Sequence, residues 1–287
     1  MNSKLISGKE VSAQIKAHVK EEVVALNSQW IYPKLSVRMV GENPASLTYV
    51  KGKHKDCAEC GIISENIAMP ETVSQAELLA EIERLNKDDT VHGILVQLPL
   101  PKHIDEYAVV NAISPAKDVD GFTALNVGNM NIGKDCFTPC TPQGCIDMLD
   151  YAGIDMTGKD VVVIGRSNIV GKPVAVLALQ RSATVTICHS KTQNIAEKTR
   201  AADIVIVAVG KAGFLTGDML KPGAVVIDVG INRNSEGKLC GDADFDSCID
   251  VVSKITPVPG GVGLMTRANL LKNTIKSAKN CLKQRKN

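Results

Sequence analysis

The sequence predicts an α/β protein of two domains, each built on a mostly parallel sheet, and three observations carry that prediction. First, residues 161–164, 202–209 and 224–229 are short, nearly continuous apolar runs closed by glycine, the pattern of strands buried on both faces. Second, helical patterns alternate with these runs, and 35–40, 62–68 and 93–97 alternate with helices in the same way nearer the start. Third, 287 residues suit two domains, and 44% hydrophobic with 22% charged content is enough to bury a core in each.

Taken in order, Ser7, Gly8, Lys9 and Glu10 have capping-box spacing, and Val11, Ile15, Val19 and Val23 then recur every four residues on one face of a first helix. A strand at 35–40 is broken by Gly41-Glu42-Asn43-Pro44, and a second helix runs over about 45–60 to Gly61. Residues 62–68 read as an edge or half-buried strand, and Ser74 with Glu77 repeats the capping box before a helix ending near 86. The strand 93–97 is apolar except for Gln97 at its carboxyl end. Residues 115–122 form a loop, and 136–142, with two prolines, lead into a helix of about ten residues. The domain junction falls between these. The first domain is thus expected at 1–138, completed by an amphipathic helix at 265–287 that carries Leu270, Leu271, Ile275 and Ala278 on one stripe, and the second at 139–264.

The second domain opens on Asp160-Val161-Val162-Val163-Ile164-Gly165-Arg166-Ser167-Asn168-Ile169-Val170-Gly171, a strand expected to turn at once into a helix. Gly165 can make the turn, Gly171 lets the helix approach the sheet, and 167–169 present N–H groups at a positively polarised helix end, which attracts phosphate. Ser167 stands where the common dinucleotide fingerprint has its second glycine, so the backbone approaches a pyrophosphate less closely, and a tight turn without a ligand is the competing reading. After the next strand, 184–188, an NAD enzyme usually has an acidic residue for the ribose hydroxyl; this chain has His189-Ser190-Lys191. Arg166, Ser190 and Lys191 make a pocket for a 2′-phosphate, or else a solvated loop, and NADP is favoured over NAD. Residues 232–241 are a polar loop or hairpin, and 257–263, rich in proline and glycine, a shaped loop.

Composition narrows the partners. A net charge of +2, with no cluster of basic residues interleaved with aromatics, argues against nucleic acid as a partner, and no apolar run approaches the ~20 residues that span a bilayer. The first residues lack the apolar core of a signal peptide, and nine cysteines is an odd number, so reduced thiols in the cytoplasm are expected. Cys57 and Cys60 form a lone C-x-x-C without a second ligand pair, read as a packed helix face in preference to zinc or redox work; no metal site is expected.

Few side chains stand out chemically. Tyr49 and Lys53, four apart on the second helix, lie on one face and can share a hydrogen-bond network, although Lys51, Lys53 and Lys55 could equally be solvated charges. Gln97 must find partners or cost ~1–3 kcal/mol of desolvation, and at a strand end it can meet a ligand. Asp118 and Asp120 could accept from an amino-substituted heterocycle or cap a turn.

These blocks, together with Gly93-Ile94-Leu95-Val96-Gln97-Leu98-Pro99-Leu100-Pro101, Lys117-Asp118-Val119-Asp120-Gly121, Pro139-Cys140-Thr141-Pro142 and Thr256-Pro257-Val258-Pro259-Gly260-Gly261-Val262-Gly263, resemble the bifunctional methylenetetrahydrofolate dehydrogenase/cyclohydrolase (FolD) family over nearly the whole chain. The resemblance implies two α/β domains flanking a cleft, the second a Rossmann-type nucleotide-binding domain, working as a homodimer through that domain on tetrahydrofolate derivatives with NADP and no metal. It implies that Lys53 is the acid/base of the cyclohydrolase step, that Tyr49 positions or stacks on the folate, that Gln97 tunes Lys53 and that Asp120 holds the pterin. Gly165, Arg166, Ser167, Ser190 and Ile231 would line the NADP site, with Pro259, Gly260 and Gly261 shaping the folate side. A lysine beside a cationic substrate gives up its proton more readily, which suits it to act as a base. The family usually has proline where this chain has Leu264. The alternatives are a dehydrogenase with weak cyclohydrolase activity and a folate- or NADP-binding protein without turnover.

Overall fold

A computed structural model describes residues 3–286. In chain order the elements are α1 (Gly8–Asn27), β1 (Lys34–Val40), α2 (Pro44–Cys60), β2 (Ile63–Met69), α3 (Gln75–Lys87), β3 (Gly93–Gln97), α4 (Glu106–Ala112), α5 (Ala124–Asn131), α6 (Cys140–Tyr151), β4 (Asp160–Ile164), α7 (Gly171–Gln180), β5 (Thr184–Cys188), α8 (Ile195–Ala201), β6 (Ile204–Val207), β7 (Val225–Asp228), β8 (Asn232–Arg233), β9 (Leu239–Cys240), α9 (Phe245–Ile249), β10 (Lys254–Ile255) and α10 (Val262–Lys286). They form two compact units, residues 14–138 with 267–286, and residues 3–13 with 139–266.

The first unit has a parallel sheet of order β2-β1-β3. Its β1 is buried along almost its whole length, whereas β2 is largely exposed and lies at the edge, the first of the two readings open for it. Leu78, Ile82 and Leu85 of α3 pack on Ile94 and Val96 of β3. The Ser74 capping box forms as expected, its hydroxyl accepting from Glu77 N–H while the Glu77 carboxylate accepts from Ser74 N–H. The far end of α3 is closed by a lysine: Lys117 Nζ donates to the carbonyls of Leu85, Asn86 and Asp88 at 3.0, 2.8 and 2.8 Å. The stripe expected on α10 is buried, and Asn273 Nδ2 donates to the carbonyls of Val119 and Thr138.

The second unit has a five-stranded, all-parallel sheet of order β10-β7-β6-β4-β5. By chain order this is 5-4-3-1-2, a doubly wound arrangement whose order reverses between β4 and β6. The hairpin reading of 232–241 is the one found.

Several expectations need correction. Residues 3–13 belong with the second unit, because Ile6 N–H donates to Ile255 carbonyl and Ile255 N–H to Lys4 carbonyl; a single bridged pair has no sequence period to betray it. Helices α4 and α5 lie where no element was expected; at seven and eight residues they are specified by their caps, Asp105 and Thr123, more than by periodicity. The short α9 and two-residue β10 escape notice for the same reason. The last helix begins at Val262 instead of 265, so Gly263 is helical.

Arg38, in the middle of β1, has no exposed surface. Its guanidinium donates to Glu81 at 2.6 and 2.9 Å, to Glu65 at 3.0 Å and to Val37 carbonyl at 3.1 Å. Removing a partner strands a buried cation, which costs far more than a surface pair yields. Arg84 and Arg38 hold the Glu81 carboxyl down at about 2, from an ordinary 4.5, so its stabilisation is present above the ordinary carboxylate range and is lost as pH falls through about 2. Glu81→Gln is therefore expected to cost about 3 kcal/mol at pH 7 by urea unfolding. The gap from the parent should narrow as pH falls from 5 toward 2; a pH-independent gap would exclude the charge as its source.

Candidate active site and nucleotide site

Helix α2 sorts its three lysines by its period. Ser46, Val50, Lys53, Asp56, Cys57 and Cys60 face inward at intervals of three and four, and Lys51 and Lys55 face solvent. Lys53 is only 6% exposed, so the solvated reading is excluded for it. Its Nζ donates to Gln97 Oε1 at 3.0 Å and lies 5.9 Å from the centre of the Tyr49 ring. Gln97 spends its own amide N–H on the Leu98 carbonyl at 2.8 Å, which fixes its oxygen toward the lysine. The strand-end glutamine and the helix pair are thus one constellation. Burial raises the Tyr49 hydroxyl above its ordinary 10, with Arg267 partly offsetting it, so at neutral pH Tyr49 is a neutral donor beside the amine. Cys57 and Cys60 are buried and free, and burial pushes the Cys57 thiol up to about 12, as a packed helix face requires.

Sequence reading missed what supports this face. A Cβ at Gly52 would collide with Nη1 of Arg267, so the α10 arginine lies directly on α2. Arg267 Nε is 3.0 Å from the buried Asp56 carboxylate, which also pairs with Lys16. The available signal was Gly52 itself, an unforced glycine inside a helix, which calls for a packing reason.

Of the two aspartates in the 117–121 block, the turn-forming role is filled by the first. Asp118 is the turn former: buried, it accepts from the N–H groups of Gly121, Phe122 and Thr123 and from Asn126 Nδ2 at 2.8–3.3 Å. Asp120 sits half-buried in the loop so organised.

At the order reversal of the second sheet, the glycines do what their positions promised. Gly165 has φ +131°, and a Cβ there would strike the Ala208 carbonyl that follows β6; a Cβ at Gly171 would strike the Gly165 carbonyl. The helix does not start at once, however. A turn at 168–170 intervenes, α7 begins at Gly171, and the Ser167 hydroxyl accepts from Val170 and Gly171 N–H at 3.1 and 3.2 Å, which holds the turn that leads into the helix. Arg166 and Ser190 are exposed and follow the ends of adjacent strands, β4 and β5, joined there by Gly165 N–H on the Cys188 carbonyl at 2.8 Å. Ile231, 52% exposed, follows β7 at the same sheet edge. The edge where a doubly wound sheet takes its ligand is therefore rimmed by a tight glycine turn and the exposed Arg166 cation, which fits a dinucleotide. Pro259, Gly260 and Gly261 belong to this second unit, and a Cβ on Gly8 would collide with the Gly261 carbonyl. Leu264, in the first turn of α10, donates its N–H to that same carbonyl at 3.2 Å, a bond proline could not make.

Residues 6–120 match the family described as tetrahydrofolate dehydrogenase/cyclohydrolase, catalytic domain, and residues 139–282 match its NAD(P)-binding domain. The chain belongs to the tetrahydrofolate dehydrogenase/cyclohydrolase family. It is 59% identical over 275 residues to the bifunctional protein FolD of Bacillus anthracis, covering 96% of both chains. The crystal structure of bifunctional FolD from Campylobacter jejuni superposes with a TM-score of 0.95 at 53% identity, over 96% of this chain and 98% of that one. FolD from Trypanosoma brucei, solved with NADP cofactor and an inhibitor, gives 0.93 at 40% identity over 97% and 98%. The mixed α/β architecture with two parallel sheets is thus the architecture of the family. Among the described residues no group of three His, Cys, Asp or Glu is placed to hold a metal ion, and no helix is long and apolar enough to cross a membrane.

Gly171→Ala tests the crevice. Its methyl should push the helix from the glycine turn at about 1–3 kcal/mol and weaken NADPH binding in a fluorescence titration; an unchanged titration would place the nucleotide elsewhere.

Proposed function

We propose that this chain oxidises 5,10-methylenetetrahydrofolate to the 5,10-methenyl compound with NADP and hydrolyses that product to 10-formyltetrahydrofolate, serving one-carbon metabolism. The observation that carries the reading is the buried Lys53 amine held by Gln97 on the face it shares with Tyr49. Family membership over nearly the whole chain supports both activities.

The first step needs little from side chains. NADP, when bound, accepts the hydride; the folate nitrogens share the cation left on the one-carbon unit, so the protein's work is orientation. In this reading Asp120 holds the pterin, Tyr49 packs along the folate, and Pro259 to Gly261 border it. Gly165 to Ser167 admit the pyrophosphate, Arg166 and Ser190 hold the 2′-phosphate, and Ile231 covers apolar surface.

Hydrolysis needs proton movement. Water adds to the methenyl carbon and loses one proton; N5 gains a proton as its bond to that carbon breaks, and the hydroxyl proton left on the carbon departs to solvent as the formyl C=O forms. Lys53 in its neutral form takes the first and returns it for the second, while Gln97 Oε1 fixes the direction of Nζ. A cationic substrate disfavours the ammonium next to it, which assists the first transfer.

The chain is further proposed to be a cytoplasmic homodimer. Free cysteines support a reducing compartment. For the dimer, β5 is an open edge of the second sheet with Ile187 41% exposed, and Leu179 on the neighbouring α7 is exposed as well.

Lys53→Met separates the activities. NADPH formation should persist while production of the 10-formyl compound falls about 10²–10⁴-fold. Parent protein that forms NADPH but hydrolyses no faster than buffer would leave a dehydrogenase alone, and no NADPH at all would leave a binding protein. Arg166→Ala should raise KM for NADP about tenfold or more and leave KM for NAD little changed; equal effects on both would remove Arg166 from the phosphate.

A further inference from the structure

We infer that Asp242 is a positioning residue for the nucleotide, a single buried carboxylate that sets the two loops leaving β6 and β7, and that it governs the dehydrogenase without touching hydrolysis. This rests on the crevice at the ends of β4, β6 and β7 being the NADP site.

Asp242 follows the β8–β9 hairpin and has no exposed surface. Its carboxylate accepts from the N–H groups of Val209, Gly210 and Lys211 at 2.6, 3.0 and 2.8 Å, three successive donors of the loop after β6. It also accepts from Asn232 Nδ2 at 2.8 Å, and Asn232 immediately follows Ile231 in the chain leaving β7. One side chain therefore clamps both loops. The first begins at Ala208, whose carbonyl closes against Gly165; the second carries Ile231.

Asp242 is itself fixed from behind. Asp228, the last residue of β7 and almost wholly buried, accepts from the N–H groups of Gly230, Asp242 and Ala243, each at 2.9 Å. The fit leaves no space: a Cβ at Gly230 would collide with Asp242, and one at Gly241 with Asp228. Burying two carboxylates side by side is costly in water-free surroundings, and seven donors directed at them offset that cost. Three N–H groups claimed by one carboxylate also give the loop a single shape, so the loop meets its ligand already ordered. None of these contacts involves Tyr49, Lys53 or Gln97, which belong to the other unit.

Asp242→Asn keeps the shape but replaces one acceptor oxygen with an NH2 group facing N–H donors. Because that variant could fold poorly, Asn232→Ala, which removes one strut from a half-buried position, is made beside it. Dehydrogenase activity is measured against NADP concentration, and hydrolysis of added methenyltetrahydrofolate is measured without nucleotide. The inference holds if KM for NADP rises about tenfold in Asp242→Asn and by a smaller factor in Asn232→Ala, with hydrolysis within about twofold of the parent in both. It is overturned if both variants keep the parent's KM for NADP, or if hydrolysis falls in parallel with the dehydrogenase in both. Parent protein that forms no NADPH would instead sink the functional reading on which the inference rests.

Discussion

Parallel pairing imposes one constraint from which the rest follows: every strand of a sheet ends at the same edge. In the first unit that edge receives Gln97 at the end of β3. In the second it receives Gly165, Ser190, Val209 and Ile231 within a few residues of four strand ends. Parallel strands cannot be joined by tight hairpins, so longer connections carry the chain back, and α2, α3, α7 and α8 each follow a strand end at that edge. Convergence of polar groups at the edge is a property of the topology, and the particular side chains decide what the edge binds.

Those polar groups are expensive, and the molecule meets the cost the same way each time, by giving each buried charge a named partner. Lys53 has Gln97; Arg38 has Glu81 and Glu65; Asp118 has a turn of backbone donors; Asp242 has two loops. The partners differ in kind. The Asp118 and Asp242 carboxylates are taken up mainly by backbone N–H groups and so fix the shape of loops, whereas the Lys53 amine is held by a neutral side-chain amide oxygen.

Where sequence reading went astray, the missing information was non-local. The helix expected at once after Gly165 starts only at Gly171, with the Ser167 hydroxyl accepting from Val170 and Gly171 N–H in the turn between them. The first residues were grouped with the elements that follow them in the chain, yet Lys4 and Ile6 bond to Ile255. Arg38 and Asp56 sit in runs that look like ordinary strand and helix; their burial follows only from Glu81, Lys16 and Arg267, each dozens of residues away. Asp242 lies just past the polar stretch 232–241, and nothing local marks its burial.

The sequence by itself determined the long elements, the glycine turn and the blocks that mark the family, because periodicity, capping and turn chemistry act over a few residues and leave a local trace. It also singled out Gln97, since an amide in an apolar strand is visible as an exception, and left Lys53 as one of three lysines on a helix until the family blocks were read together. Only the tertiary structure decided that Lys53, and not Lys51 or Lys55, is withdrawn from solvent, that its partner is Gln97, and that Asp118 makes the turn. The physical reason is that hydrogen bonds and burial depend on what lies opposite. Forty-four residues separate the lysine from its glutamine, and only the folded sheet brings them within 3.0 Å.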